Sequence, residues 1–114
     1  MLIPSRNQSL DTPLRIDAVE RGASLVLVVE GEVDITTSHL LDEALERAQA
    51  TDATSIVVDL LAVSFIDSTG LHVLIKHAGA ADSPRRIRLT KGSPQAQRLF
   101  ELSGAIDYLP FVSD

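Results

Sequence analysis

Two apolar runs of strand length, Leu25 to Val29 and Ser55 to Leu60, are separated by a segment with helical apolar spacing, and this alternation constrains the fold more than any other feature. In the intervening segment Leu40, Leu41, Ala44, Leu45 and Ala48 fall on one helical face, while Asp42, Glu43, Glu46 and Arg47 fall on the other. Strands joined through a helix pair in parallel, because the crossover carries the chain back to the end from which it started. The middle of the sheet is therefore predicted to be parallel.

The rest of the chain extends that pattern. Leu14, Ile16 and Ala18 alternate with Arg15, Asp17 and Val19, a half-buried strand, and Arg21-Gly22-Ala23 turns it back as a hairpin onto Leu25 to Val29. Leu71, Leu74, Ile75 and Ala78 predict the buried stripe of a second helix that runs to about Ala81 and is stopped by Asp82-Ser83-Pro84. Arg86-Ile87-Arg88-Leu89 reads as a short edge strand with one basic face. Ser93-Pro94 opens a third helix with Ser as N-cap; Ala96, Leu99, Phe100 and Ser103 face inward, and Gly104 suits a left-handed C-cap. Ile106 to Val112, interrupted by Pro110, is a last extended segment. The fold class predicted is α/β: a small mixed, mostly parallel sheet with an N-terminal antiparallel hairpin and helices on one face. The 114 residues suit one domain over 1–114, of which 1–12 are a polar tail.

Composition narrows the function. With no Cys, neither disulfides nor thiolate metal sites are available, and a reducing cytoplasm is the expected location. Apolar runs are too short to cross a bilayer, so no direct membrane insertion is expected. A net charge of −6 opposes binding to nucleic acid, and with aromatics at 4% there are few surfaces for base stacking. The charge is uneven. Eight acids (Glu30, Glu32, Asp34, Asp42, Glu43, Glu46, Asp52 and Asp59) face one base, Arg47, between Glu30 and Leu60, whereas Arg85 to Arg98 holds five bases and no acid. A face for a protein partner and an ordinary solvated surface both remain open.

The candidate site is the stretch Val63-Ser64-Phe65-Ile66-Asp67-Ser68-Thr69-Gly70-Leu71-His72-Val73-Leu74-Ile75, where a strand or buried loop becomes a helix. Ser68 is either a helix cap or an exposed functional hydroxyl, and spacing does not choose between them. Gly70 in the first turn costs about 0.5–1 kcal/mol relative to Ala, and implies a close approach to the backbone there. Catalysis is disfavoured. His72 lies one helical turn from Ser68, but a nucleophile elbow would need Gly at position 66, where Ile66 stands. His39, His72 and His77 show no metal-ligand spacing and read as surface or boundary residues, and no phosphate-cradling Gly-rich loop is present. No metal, no cofactor and no enzymatic activity are expected.

Gly31-Glu32-Val33-Asp34, Ile56-Val57-Val58-Asp59-Leu60, Phe65-Ile66-Asp67-Ser68-Thr69-Gly70-Leu71 and Arg98-Leu99-Phe100-Glu101-Leu102-Ser103-Gly104 together resemble, in order and spacing, the STAS-domain anti-sigma factor antagonists. The resemblance spans Leu14 to Val112. It implies a transcription regulator whose unphosphorylated form binds an anti-sigma factor serine kinase and so releases a sigma factor. Phosphorylation at the residue matching Ser68 weakens that binding, and a serine phosphatase reverses it. Asp34 and Asp67 match acidic positions beside that Ser; with Ser68, Thr69, Gly70 and His72 they form the expected partner-binding set. His72 departs from the family, which carries a small residue there. The alternative is a STAS scaffold with no switch, such as an accessory subunit of a membrane transport complex.

Overall fold

In the computed structural model, residues 13–79 and 86–112 are described. The tail at 1–12 and the expected stop at Asp82-Ser83-Pro84 lie outside them. Strand β1 (Leu14–Arg21) turns back onto β2 (Ser24–Val33), helix α1 (Ser38–Gln49) crosses to β3 (Ser55–Ile66), helix α2 (Ser68–Ala78) leads towards β4 (Arg86–Leu89), and helix α3 (Pro94–Ser103) precedes a 3₁₀ turn (Ala105–Asp107). The sheet order is β1-β2-β3-β4, with β1 antiparallel to β2 and the other pairs parallel, as the alternation of apolar runs predicts.

One face of the sheet carries the core. Leu25, Leu27 and Val29 of β2, Ile56, Val58 and Leu60 of β3, and Ile87 and Leu89 of β4 are buried against Leu41, Ala44, Leu45 and Ala48 of α1, Leu71, Val73 and Leu74 of α2, and Ala96 and Phe100 of α3. Such burial is worth about 1.5–3 kcal/mol for each large aliphatic side chain. With almost no aromatics, the core is filled by branched aliphatic groups.

β3 is twice the expected length because it stays paired with β2 as far as Val33 and takes up two register shifts on the way, after Val28 and after Gly31. Each shift places an extra β3 residue in the ladder, so the inward positions become Val63 and Ile66 while Leu61, Ala62, Ser64 and Phe65 point out. The bulged strand thus carries the chain beyond the core to the pole where α2 starts. Gly31 lets the start of β1 lie close against β2 near this pole. Its φ of +115° belongs to glycine, and a Cβ there would strike the Pro13 carbonyl, which accepts the Glu32 N–H at 2.6 Å.

Four expectations change. Ser103, expected on the inward face of α3, is exposed in the last turn of that helix. The buried stripe of α2 is Gly70, Leu71, Val73, Leu74 and His77, with Ile75 40% exposed, because α2 is rolled so that its other flank meets α1. The helix ends at Ala78 rather than near Ala81. The last strand shrinks to a single parallel bridge, Leu89 with Phe111. Gly104 at φ +81° diverts the chain into the 3₁₀ turn, and Pro110 has no N–H for a ladder. Among the described residues no helix is long and apolar enough to cross a membrane.

Candidate functional site

The site lies where β2 and β3 end side by side. Val33 pairs with Ile66, and the Asp67 N–H donates to the Val33 carbonyl at 3.0 Å. The next residues on each strand, Asp34 and Asp67, are thereby brought to one pole at the carboxyl ends of two parallel strands, a common place for binding sites in α/β folds. α3 braces this pole: the Gln95 side chain accepts from the Ile66 N–H at 2.9 Å and donates to the Ile66 carbonyl at 3.1 Å.

The choice between cap and free hydroxyl at Ser68 is resolved by Asp67. Asp67 is the N-cap of α2, and its Oδ1 accepts from the Thr69 N–H at 2.9 Å, the Gly70 N–H at 3.3 Å and the Thr69 hydroxyl at 2.5 Å. Two orphan donors of the first turn, the Thr69 and Gly70 N–H groups, are satisfied by the carboxylate, with no need of the Ser68 hydroxyl. Ser68, the first helical residue, is exposed, and among the described residues its hydroxyl has no hydrogen-bond partner. Thr69, half-buried, has its hydroxyl engaged by Asp67.

Gly70 has a different place from that expected of a contact residue. It is buried, and a Cβ on it would lie 2.6 Å from Val33 Cγ1 and 2.7 Å from Ile66 Cγ1. What approaches its backbone is the protein's own β2 and β3. His72 is exposed one turn beyond Ser68, and among the described residues no hydrogen bond joins the two. Asp34 organises the β2–α1 turn. Its carboxylate accepts from the Thr36 hydroxyl at 2.7 Å and the Thr36 N–H at 2.9 Å, and these bonds, with those of Thr37, hold its pKa below the usual aspartate value.

Sequence reasoning missed two features. His77 is buried between α1 and α2, with Nε2 2.6 Å from Asp42 Oδ1 and Nδ1 2.8 Å from Gln49 Nε2. Only tertiary contact joins residues this far apart in the chain, so no local spacing announced them. Asp42, Glu46 and His77 bring their ligand atoms within 4.8 Å of one another, and the cation beside them is the Lys76 ammonium, 3.1 Å from Asp42 Oδ1. The second is Ile35, 76% exposed in the turn after Asp34.

The STAS domain family model matches residues 15–114. The chain belongs to the STAS domain family. Its STAS domain is 35% identical over 101 residues to the anti-sigma-B factor antagonist of Listeria monocytogenes, a match covering 84% of this chain and 86% of that relative. The anti-sigma-F factor antagonist RsfB of Mycobacterium tuberculosis is 34% identical over 61 residues, 54% of this chain; the match spans only 50% of RsfB's length. The crystal structure of an anti-sigma factor antagonist from Mycobacterium paratuberculosis superposes with a TM-score of 0.78 at 24% identity, covering 89% of this chain and 86% of the other, a likeness of fold.

Proposed function

We propose that this STAS domain is an anti-sigma factor antagonist whose unphosphorylated form binds an anti-sigma factor serine kinase in the bacterial cytoplasm, so releasing a sigma factor, and whose binding is weakened when Ser68 is phosphorylated. The observation that carries the reading is the exposed Ser68 hydroxyl, relieved of capping by Asp67. A kinase reaches it without unfolding the helix. The resulting phosphate brings about −1.5 to −2 charges, which the positive end of the helix dipole offsets by about 0.3–1 kcal/mol, so the fold persists. A partner docked over the same hydroxyl meets an unpaired dianion beside Asp67, and like charges placed together at an interface cost several kcal/mol. A serine phosphatase restores the binding form.

The test is to incubate the protein with the purified anti-sigma factor kinase of the same genome and ATP, and to map the phosphate by mass spectrometry. Labelling is expected at Ser68 and absent from Ser68→Ala. Ser68→Asp is expected to bind the kinase about 100-fold more weakly, the equivalent of about 2.7 kcal/mol, with an unchanged circular dichroism spectrum. Undiminished labelling of Ser68→Ala, or undiminished binding by Ser68→Asp, defeats the proposal.

A further inference from the structure

Ile35 is an aliphatic side chain held in water at the same pole as Ser68. It follows Asp34, one residue beyond Val33, whose carbonyl takes the Asp67 N–H. A single exposed Ile on a surface ordinarily means little. The turn beneath this one is tied down on both sides. The Thr37 and Ser38 N–H groups donate to the Asp34 carbonyl at 3.0 and 2.7 Å, the Asp34 N–H donates to Thr37 Oγ1 at 2.9 Å, and the buried Thr37 hydroxyl donates to the Glu32 carbonyl at 2.8 Å. A knob fixed in this way has little further order to lose on docking.

Its surroundings define what it fits. Three acids share this pole, exposed Glu32 and half-buried Asp34 at the end of β2 and half-buried Asp67 at the end of β3, and among the described residues none of the three forms a salt bridge. The pole thus presents an exposed apolar side chain together with negative charge that no salt bridge among the described residues neutralises. Ser68, His72 and Ile75, at i, i+4 and i+7, form an exposed stripe along α2, the helix that starts at the same pole.

We infer that Ile35 is the anchor of the docking surface, entering an apolar socket on the anti-sigma factor whose rim carries Lys or Arg; this rests on the function proposed above. The arrangement is that of an interface hot spot, a buried apolar centre within a polar ring, in which electrostatic complementarity sets partner choice. The phosphate on Ser68 then acts at the edge of the contact and Ile35 at its centre.

The experiment measures binding of the full chain to the purified anti-sigma factor kinase held with a non-hydrolysable ATP analogue, at low and high salt. Ile35→Ala is expected to weaken binding about tenfold or more at both salt concentrations, while Ile35→Leu stays within about threefold of the wild type. Val19→Ala, an exposed valine of β1 paired with Val26 away from this pole, is the control and is expected to change nothing. The melting temperature of Ile35→Ala is expected to equal that of the wild type. Wild-type affinity in Ile35→Ala overturns the anchor alone, as does a lowered melting temperature, which makes Ile35 structural. If the chain by itself is dimeric and Ile35→Ala makes it monomeric, the occupant is a second copy and the inference is wrong. Failure of the wild type to bind the kinase overturns the proposed function, and the anchor with it.

Discussion

His77 Nε2 lies 2.6 Å from Asp42 Oδ1, tying the helix that begins with Ser68 to the helix that precedes it. An amide nitrogen can only donate, so Gln49 Nε2 makes His77 Nδ1 an acceptor and leaves the ring proton on Nε2, facing the carboxylate. Removing Asp42 strands the buried His77 ring, whereas Asp42 without His77 keeps the Lys76 ammonium and stays open to water. Asp42→Ala is expected to destabilise the fold by about 1–3 kcal/mol, the cost of an unsatisfied buried polar group, and His77→Leu by less. The double variant is expected to lose less than the sum by at least about 0.5 kcal/mol, as neighbours in one network do. Urea unfolding of the four proteins measures this, and strict additivity would show that the contact carries no coupling.

Acid is expected to weaken the fold through two carboxylates. Asp42 has its pKa lowered chiefly by the hydrogen bond from His77 and then by Lys76, and Asp34 has its pKa lowered chiefly by the Thr36 hydroxyl. A depressed folded-state pKa means that the unfolded chain binds protons first as pH falls. The stability contributed is therefore complete above the ordinary aspartate value of 3.8 and is lost below it, down through the folded-state values. Melting temperatures taken from pH 6 to about pH 2 are expected to hold steady and then fall below about pH 4. Asp42→Asn is expected to start lower and fall less steeply. Parallel curves for the two proteins would remove Asp42 from the account.

The strand and helix pattern was legible because it is local. Period-two alternation marked β1, a continuous apolar run marked β2 and helical apolar spacing marked α1 and α3, and Ser93 caps α3 through the Ala96 N–H while Gly104 ends it at φ +81°, as residue type alone indicates. The chemistry at the start of α2 was half legible: Asp67 and Ser68 are both good capping residues, and the backbone at Asp67, with φ −110° and ψ −170°, gives Asp67 the role. Contacts between elements stayed hidden. Ile75 and His77 exchange the places that their hydropathy suggests because His77 finds Asp42 and Gln49 across the helix pair, and a buried polar ring with partners costs little. The two register shifts in β3 likewise depend on the partner strand, so β3 ran on to Ile66 beyond its apolar run.

Gly70 offers a test in which two magnitudes oppose each other. Ala in place of Gly gains about 0.5–1 kcal/mol within a helix. Here the added methyl would lie 2.6 and 2.7 Å from side-chain carbons of Val33 and Ile66, both buried, and overpacking of that kind costs about 1–3 kcal/mol. The clash wins. Gly70→Ala is expected to lower stability, and the smaller neighbour in Gly70→Ala/Val33→Ala is expected to restore part of it. Stability equal to or above the wild type in the single variant would show that the helix can shift away from the strands at no cost.

Asp67 determines both the start of α2 and which hydroxyl is offered at it. Its Oδ1 serves the Thr69 and Gly70 N–H groups and holds the Thr69 hydroxyl, while Ser68 projects into solvent. Replacing an N-cap carboxylate by a methyl costs about 0.5–2 kcal/mol, so Asp67→Ala is expected to melt at a lower temperature while remaining folded at 25 °C. The same change releases the Thr69 hydroxyl and frays the first turn. Treated with the anti-sigma factor kinase and ATP, Asp67→Ala is expected to carry phosphate on Thr69 as well as Ser68, whereas the wild type carries it on Ser68. Asp67→Ser, which retains an oxygen to cap the helix, is expected to recover most of the lost stability. Phosphate confined to Ser68 in Asp67→Ala would show that the kinase, rather than the hydrogen bond to Asp67, selects the acceptor.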